Sequence, residues 1–247
     1  MKTKKQVTIG LFLVMGVSMM VLSLSGCTKE TTAVPTATDS QYKEAILNYT
    51  VADTSLTGCT SCIDSLPYEA LSTSESEALI WMREEEFLAH DVYLTLSLLY
   101  TKPIFRNIAR SEQRHTDAIK ALLVKYSLVD PAANHVTGTF TNQDLQTLYN
   151  SLVALGSGSL LNALVVGATI EDLDIKDLEE HLLTIDNQDI TCVFNNLMRG
   201  SRNHLRSFYA NILFTGGTYT PQYLTQEEFD AIVNSNHETG TGNCRCN

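Results

Sequence analysis

Between about residues 74 and 214 the apolar residues recur at alternating steps of three and four, the spacing that lines one face of an α-helix. Four long segments carry this pattern. The first runs from about Glu75 to Tyr100 behind a Ser74-Glu75-Ser76-Glu77 capping box, with Leu79, Met82, Glu86, Ala89, Tyr93, Leu96 and Tyr100 inward. The second opens at Pro103, a favourable first-turn residue, and ends near Tyr126; its stripe is Phe105, Ile108, Glu112, His115, Ile119, Leu122 and Tyr126. The third begins near Ser159 with Leu160, Leu164, Gly167 and Glu171, and either continues or kinks through Asp174 to Leu183. The fourth starts near Asn187 and carries Ile190, Val193, Leu197, Ser201, His204 and Phe208.

The connections set the topology. Thr101 to Pro103 join the first two helices and a short loop around Asp186 joins the last two, so each pair is expected to run antiparallel. The middle connection, Ser127 to Ser157, is long and holds a short helix over about Asn142 to Leu155. Two antiparallel hairpins joined by a long crossover describe a ferritin-like four-helix bundle. Strand signals are weak throughout, and the expected fold class is all-α.

One polar group breaks each apolar stripe near its middle: Glu86, Glu112 with His115, Glu171 and His204. Charged groups aimed at a core are costly unless something pairs with them. In helical bundles that something is often a pair of metal ions held by a Glu from each of two helices and Glu-x-x-His from the other two. Carboxylate and imidazole donors suit iron, with manganese or zinc as alternatives. The fourth helix departs from the pattern, because Ser201 and not Glu stands three residues before His204. Asp174 is a candidate replacement ligand, or else the N-cap of a continuing helix. Tyr93 and His90 are candidates for supporting hydrogen bonds behind the ligands. Glu86 lies in the run Glu84-Glu85-Glu86, a composition that ordinarily marks a solvated face, and only its phase singles it out. The competing assignment for Glu112 and His115 is a buried ion pair with Arg110 or Arg114. His135 and His237 fall in loop or tail, and His181 is expected to be exposed.

The ends of the chain carry a different message. Lys2, Lys4 and Lys5 precede an apolar run from Ile9 to Leu24, the pattern of a secretory signal over residues 1–26. Its end, Leu24-Ser25-Gly26-Cys27, resembles a bacterial lipobox, so Cys27 is the expected lipidation site and the protein an exported, cell-envelope one tied to a membrane. Residues 27–70 read as a Thr-rich tether followed by a Cys-x-x-Cys segment, 71–216 as the bundle, and 217–247 as a C-terminal segment with Cys-x-Cys. Cys59, Cys62, Cys244 and Cys246 are disulfide candidates with metal binding as the alternative, and Cys192 reads as a small core residue. Loss of the leader takes three lysines away and moves the formal charge from −11 to −14. Such acidity argues against a nucleic-acid partner. No phosphate loop, nucleophile elbow or Ser-His-Asp order is present.

Met82-Arg-Glu-Glu-Glu86 through Asp91-Val-Tyr93 and Ile104-Phe-Arg-Asn-Ile-Ala-Arg-Ser-Glu-Gln-Arg-His115 resemble a ferritin-like family catalogued as domain of unknown function 2202. Gly167-Ala-Thr-Ile-Glu171, Arg199-Gly-Ser-Arg-Asn-His204 and Thr220-Pro-Gln-Tyr-Leu224 share the likeness, which spans about Ser72 to Val233. The spacing of Glu86, Ala89 and Tyr93 also looks like the first helix of rubrerythrin-type di-iron proteins. The resemblance implies a ferritin-like bundle and a di-iron centre but supplies no activity. His90 stands where relatives are expected to carry Arg. On these grounds the expected function is O2 or peroxide reduction or ferrous oxidation. The alternative is a non-catalytic anchored bundle with a degenerate site, and pairing of subunits into a homo-oligomer is left open.

Overall fold

The computed structural model describes residues 63–240. Among them are six helices and no strand beyond one isolated bridge, Val136 to Thr139. We number the helices α1 (Thr73–Leu99), α2 (Pro103–Lys125), α3 (Gln143–Gly156), α4 (Leu160–Leu182), α5 (Gln188–Phe214) and α6 (Gln226–Val233). The signal, the lipobox Cys27, the tether, Cys59, Cys62, Cys244 and Cys246 lie outside the described residues.

Local chemistry explains where the helices start. The α1 capping box sits two residues earlier than expected: the Ser72 hydroxyl accepts from Glu75 N, and Glu75 Oε2 accepts from Ser72 N at 2.8 Å. Glu75 Oε1 also accepts from the backbone N of Asn187, tying this end of α1 to the start of α5. Pro103 opens α2. Asn142 and Ser159 cap α3 and α4 through their side chains. The third expected segment neither kinks nor restarts: α4 runs unbroken past Asp174, which is therefore no N-cap. Helix α6 lies in the C-terminal segment, where no helix was expected.

The packing follows from the short connections. Three residues turn α1 into α2 and five turn α4 into α5, and these two pairs share the most extensive contacts. Further contacts between α2 and α5 and between α1 and α4 close the four long helices into a ring. The crossover helix α3 packs on α1 and α4. The inward stripes read from sequence are buried almost throughout, with Tyr100 and Leu160 half-buried at helix ends. Each large apolar side chain so buried contributes about 1.5–3 kcal/mol. Among the described residues no helix is long and apolar enough to cross a membrane.

Buried acids position the irregular parts. Glu84, on α1, accepts the backbone N–H groups of Thr141 and Asn142 and so holds the start of α3. Asp91 binds His90, His135 and Gly138 N, and the His135 ring stacks on Phe87. Asp172 accepts from Tyr219 Oη and from the backbone N of Gln222, Tyr223 and Leu224, fixing the segment that leads to α6. Cys192 is disulfide-bonded rather than a free core thiol.

Candidate metal centre

The ring of helices brings all five principal candidates to one place. Glu86 comes from α1, Glu112 and His115 from α2, Glu171 from α4 and His204 from α5, and all are buried. They form two groups that can hold a metal ion, Glu86–Glu112–His115 and Glu112–Glu171–His204, with the donor atoms of each within 4.8 Å of one another. Glu112 belongs to both. Its Oε2 lies 2.8 Å from His115 Nδ1 and its Oε1 lies 2.7 Å from His204 Nδ1. Glu86 Oε2 approaches His115 Nδ1 at 3.0 Å, and Glu171 Oε2 approaches His204 Nδ1 at 3.3 Å.

Those spacings suit a coordination shell. Ligands about 2.1 Å from a divalent ion stand about 3 Å apart along an octahedral edge. Hydrogen bonding accounts for the arrangement less well. One Nδ1–H cannot point at two carboxylates at once. Glu86 Oε1, Glu112 Oε1 and Asp174 Oδ1 are buried without a well-directed hydrogen bond. With neutral imidazoles, Glu86, Glu112, Glu171 and Asp174 carry four negative charges, which two divalent ions would balance.

The electrostatics favour positive charge at the centre. Burial pushes the Glu86 carboxyl up to about 7, offset only in part by His115. Burial also raises Glu171 and Asp174, and the charges of Glu86 and Glu171 add to the rise at Asp174. Glu112 goes the other way: burial opposes its ionisation, but His204 and His115 outweigh that and hold it below the usual carboxylate range. Burial alone would lower both histidines. Glu112 and Glu86 instead raise His115, and Glu112 and Glu171 raise His204 to about 10.

The supporting groups fall partly where expected. Tyr93 donates to Glu171 Oε1 at 2.5 Å, with Gly167 O a more distant 3.3 Å from the same hydroxyl, fixing the orientation of that carboxylate. Ser201 donates to Asp174 Oδ2, so the hydroxyl that replaces the expected Glu holds a carboxylate from the neighbouring helix. His90 is placed elsewhere, with its Nδ1 against Asp91 at the crossover. Arg110 is exposed and Arg114 turns to Ser111, so neither pairs with Glu112 or His115 as the competing assignment required. His181 is half-buried with its ring against Phe194, not exposed. Gly200 was not singled out from sequence, yet a Cβ there would lie 2.7 Å from His115 Nε2. Only a residue without a side chain leaves the ring its room, and the sole sequence signal is a glycine in mid-helix.

An all-helical bundle with a buried carboxylate–imidazole cluster shared among four helices is thus the class of protein defined. A family model described as "Uncharacterized protein domain (DUF2202)" matches residues 75–236, and the chain belongs to that family. It is similar to "Uncharacterized protein MJ0754" of Methanocaldococcus jannaschii, 52% identical over 178 residues that span 72% of this chain and 96% of that protein. Among solved structures it is similar to "Crystal structure of hypothetical protein MJ0754 from Methanococcus jannaschii DSM 2661". There the TM-score is 0.69 at 51% identity, covering 70% of this chain and 99% of that one.

Proposed function

We propose that this chain is a ferritin-like metalloprotein in which Glu86, Glu112, His115, Glu171 and His204 would hold two divalent cations, and that it acts in O2 or peroxide reduction or in ferrous oxidation. Iron suits the donor set, with manganese or zinc as alternatives. The observation that carries the reading is the Glu112 carboxylate, one oxygen toward each histidine. The cyclic order of the four long helices and the long crossover support the ferritin-like topology. The lipobox-like Leu24-Ser25-Gly26-Cys27 supports export and a lipid anchor in the cell envelope.

Bound iron would supply the electron-transfer steps that these side chains lack. The chain's own groups do the rest. Glu86, Glu112 and Glu171 would hold the cations and offset their charge. Tyr93 keeps its proton, because burial and the charges of Glu171 and Glu112 push its ionisation well up, and directs it at Glu171 Oε1. Phe208 packs beside Tyr93 and Phe105 packs on Phe208, so buried apolar rings back the Tyr93 hydroxyl.

Anaerobic titration with Fe(II) tests the reading. Two equivalents should bind, and Glu112→Ala should abolish both; a wild-type chain that binds none overturns it. A second reading, a non-catalytic anchored bundle with a degenerate site, is favoured by Ser201 in place of the expected Glu. Near-ultraviolet absorbance after aerobic iron loading separates the two, since an oxo-bridged ferric pair absorbs there and an empty bundle does not.

A further inference from the structure

The net charge of −11 is spread unevenly over the molecule. Residues 92–111, 145–170 and 207–226 contain no Asp or Glu. The last two stretches also lack Lys and Arg, whereas the first carries Lys102, Arg106 and Arg110 at four-residue steps along one side of the start of α2. The fold gathers parts of all three at one end of the bundle. Lys102 Nζ lies 5.5 Å from the centre of the Phe214 ring, which joins the α1–α2 turn to the end of α5. Tyr100 Oη donates to Gly156 O at 3.0 Å, which joins the same turn to the end of α3. Gly217, just past α5, packs on Leu161 at the start of α4.

This end is apolar as well as free of acids. Leu98 is 80% exposed, Phe214 62%, Leu99 54% and Leu155 53%. Arg106 and Arg110 are exposed, and among the described residues neither they nor Lys102 enters an ion pair. The other end of the bundle exposes Leu183 and Val129 too, but within three residues of Glu180, Asp186 and Asp130. Exposed aliphatic side chains beside unpaired basic ones fit a covering that is both apolar and anionic. A bilayer with anionic headgroups is such a surface. It repels the acidic remainder of the chain, so this end is the one that can approach it. A second copy fits less well, because two such ends face to face would set basic groups against basic groups.

Resting on the proposed lipid anchor, we infer that this acid-free end of the bundle docks on an anionic bilayer surface. Leu98, Leu99, Leu155 and Phe214 enter the headgroup boundary, and Lys102, Arg106 and Arg110 meet lipid phosphates. The 35 residues between Cys27 and Ile63 can reach up to about 100 Å. The 27 residues of α1 measure about 40 Å. The anchor therefore leaves either end of the bundle able to meet the bilayer, and surface chemistry selects between them.

The test uses the full chain reconstituted into vesicles of phosphatidylcholine, alone or mixed with phosphatidylglycerol. Flotation reads association, and amide hydrogen exchange by mass spectrometry reads which face is covered. On mixed vesicles the turns at 100–103 and 214–218 should exchange at least about threefold more slowly than in detergent, with the turn at 183–187 unchanged. L98S/L99S/F214S, at exposed positions where folding is not at stake, should float but lose the slowing. R106Q/R110Q should lose most of it, since each basic group near an anionic surface is worth about fivefold in binding. Leu183→Ser, at the other end, should behave as wild type. Wild-type slowing in either multiple variant overturns the inference, as does equal slowing at both ends or on phosphatidylcholine alone. Slowing already present in detergent and dependent on protein concentration assigns this end to a second copy and overturns it too. A chain that floats with no slowing at this end overturns the docking and leaves the anchor intact. A chain that floats with neither vesicle overturns the anchor, and the docking with it.

Discussion

The imidazole rings of His115 and His204 lie nearly parallel, 5.5 Å between centroids and 17° between planes, on either side of the Glu112 carboxylate. They come from α2 and α5, neighbours in the ring of helices that lie far apart in sequence. Each Nδ1 faces a second carboxylate, Glu86 for His115 and Glu171 for His204. The centre therefore has two halves related through one residue, and disturbing either histidine should be felt at the other.

Gly200 offers the sharpest steric probe. In Gly200→Ala the new methyl would lie 2.7 Å from His115 Nε2 and 2.8 Å from Cε1, so the ring must move. Overpacking of this kind costs about 1–3 kcal/mol. Co(II) titration should show at least a tenfold loss of affinity, and urea denaturation should show the stability loss in the metal-free chain. Wild-type affinity in this variant would mean that the ring position does not matter to binding.

Removing the Tyr93 hydroxyl tests how Glu171 is oriented. Tyr93→Phe keeps the ring against Phe208 but deprives Glu171 Oε1 of its donor. Leaving a buried acceptor unsatisfied costs about 1–3 kcal/mol. Urea denaturation of metal-free protein should show that loss, and added Co(II) should recover part of it by engaging the freed oxygen.

Protons and metal compete at the same nitrogens. Burial would favour neutral His204, but Glu112 and Glu171 hold its proton on up to about pH 10. The folded value is raised, so its stabilisation of the metal-free fold is fully present below the ordinary 6.5 and fades as pH rises through about 10. A cation at Nδ1 must displace that proton. Co(II) binding at pH 7 should thus release protons and strengthen as pH rises. Calorimetry in two buffers of different ionisation enthalpy reads the release directly; identical heats in both would rule it out.

The C-terminal segment should carry its own acid sensitivity. Glu238 binds Arg202 and Arg206 on α5, its Oε1 lying 2.8 Å from Arg202 Nε and from Arg206 Nη2. Burial would raise its carboxyl, but the two guanidinium groups hold it at about 2. The folded value is depressed, so the stabilisation is present above the ordinary 4.5 and lost as pH falls through about 2. Glu238→Gln should melt below wild type at pH 6, with the gap closing toward pH 2 and shrinking in high salt. A gap that persists at pH 2 would assign it to packing.

Much of the bundle was legible because helical periodicity is local. The four inward stripes, Pro103 at the start of α2 and the two short connections all follow from residues three or four apart. The phase that put Glu86 inward also holds in three dimensions. The composition of Glu84-Glu85-Glu86 misled, since these residues are 5, 3 and 1% exposed rather than solvated. Each has a different neighbour: Glu84 the start of α3, Glu85 the Trp81 indole, Glu86 the His115 ring. None of those partners except Trp81 is close in sequence, so no local pattern announces them. Asp172, next to Glu171, is hidden in the same way, because its donors come from residues 219–224.

By itself the sequence determined the number and phase of the long helices, their pairing through short turns, and which few polar residues must leave the solvent, because each is a matter of neighbours along one helix. Only the tertiary structure decided that Glu112 serves both histidines, that Asp174 meets Ser201, that Gly200 clears space for His115, and that Cys192 is bonded rather than free. Those relations depend on how far each helix slides and turns against the next. That register is set by side-chain packing summed over the whole ring, and no spacing within a single segment encodes it.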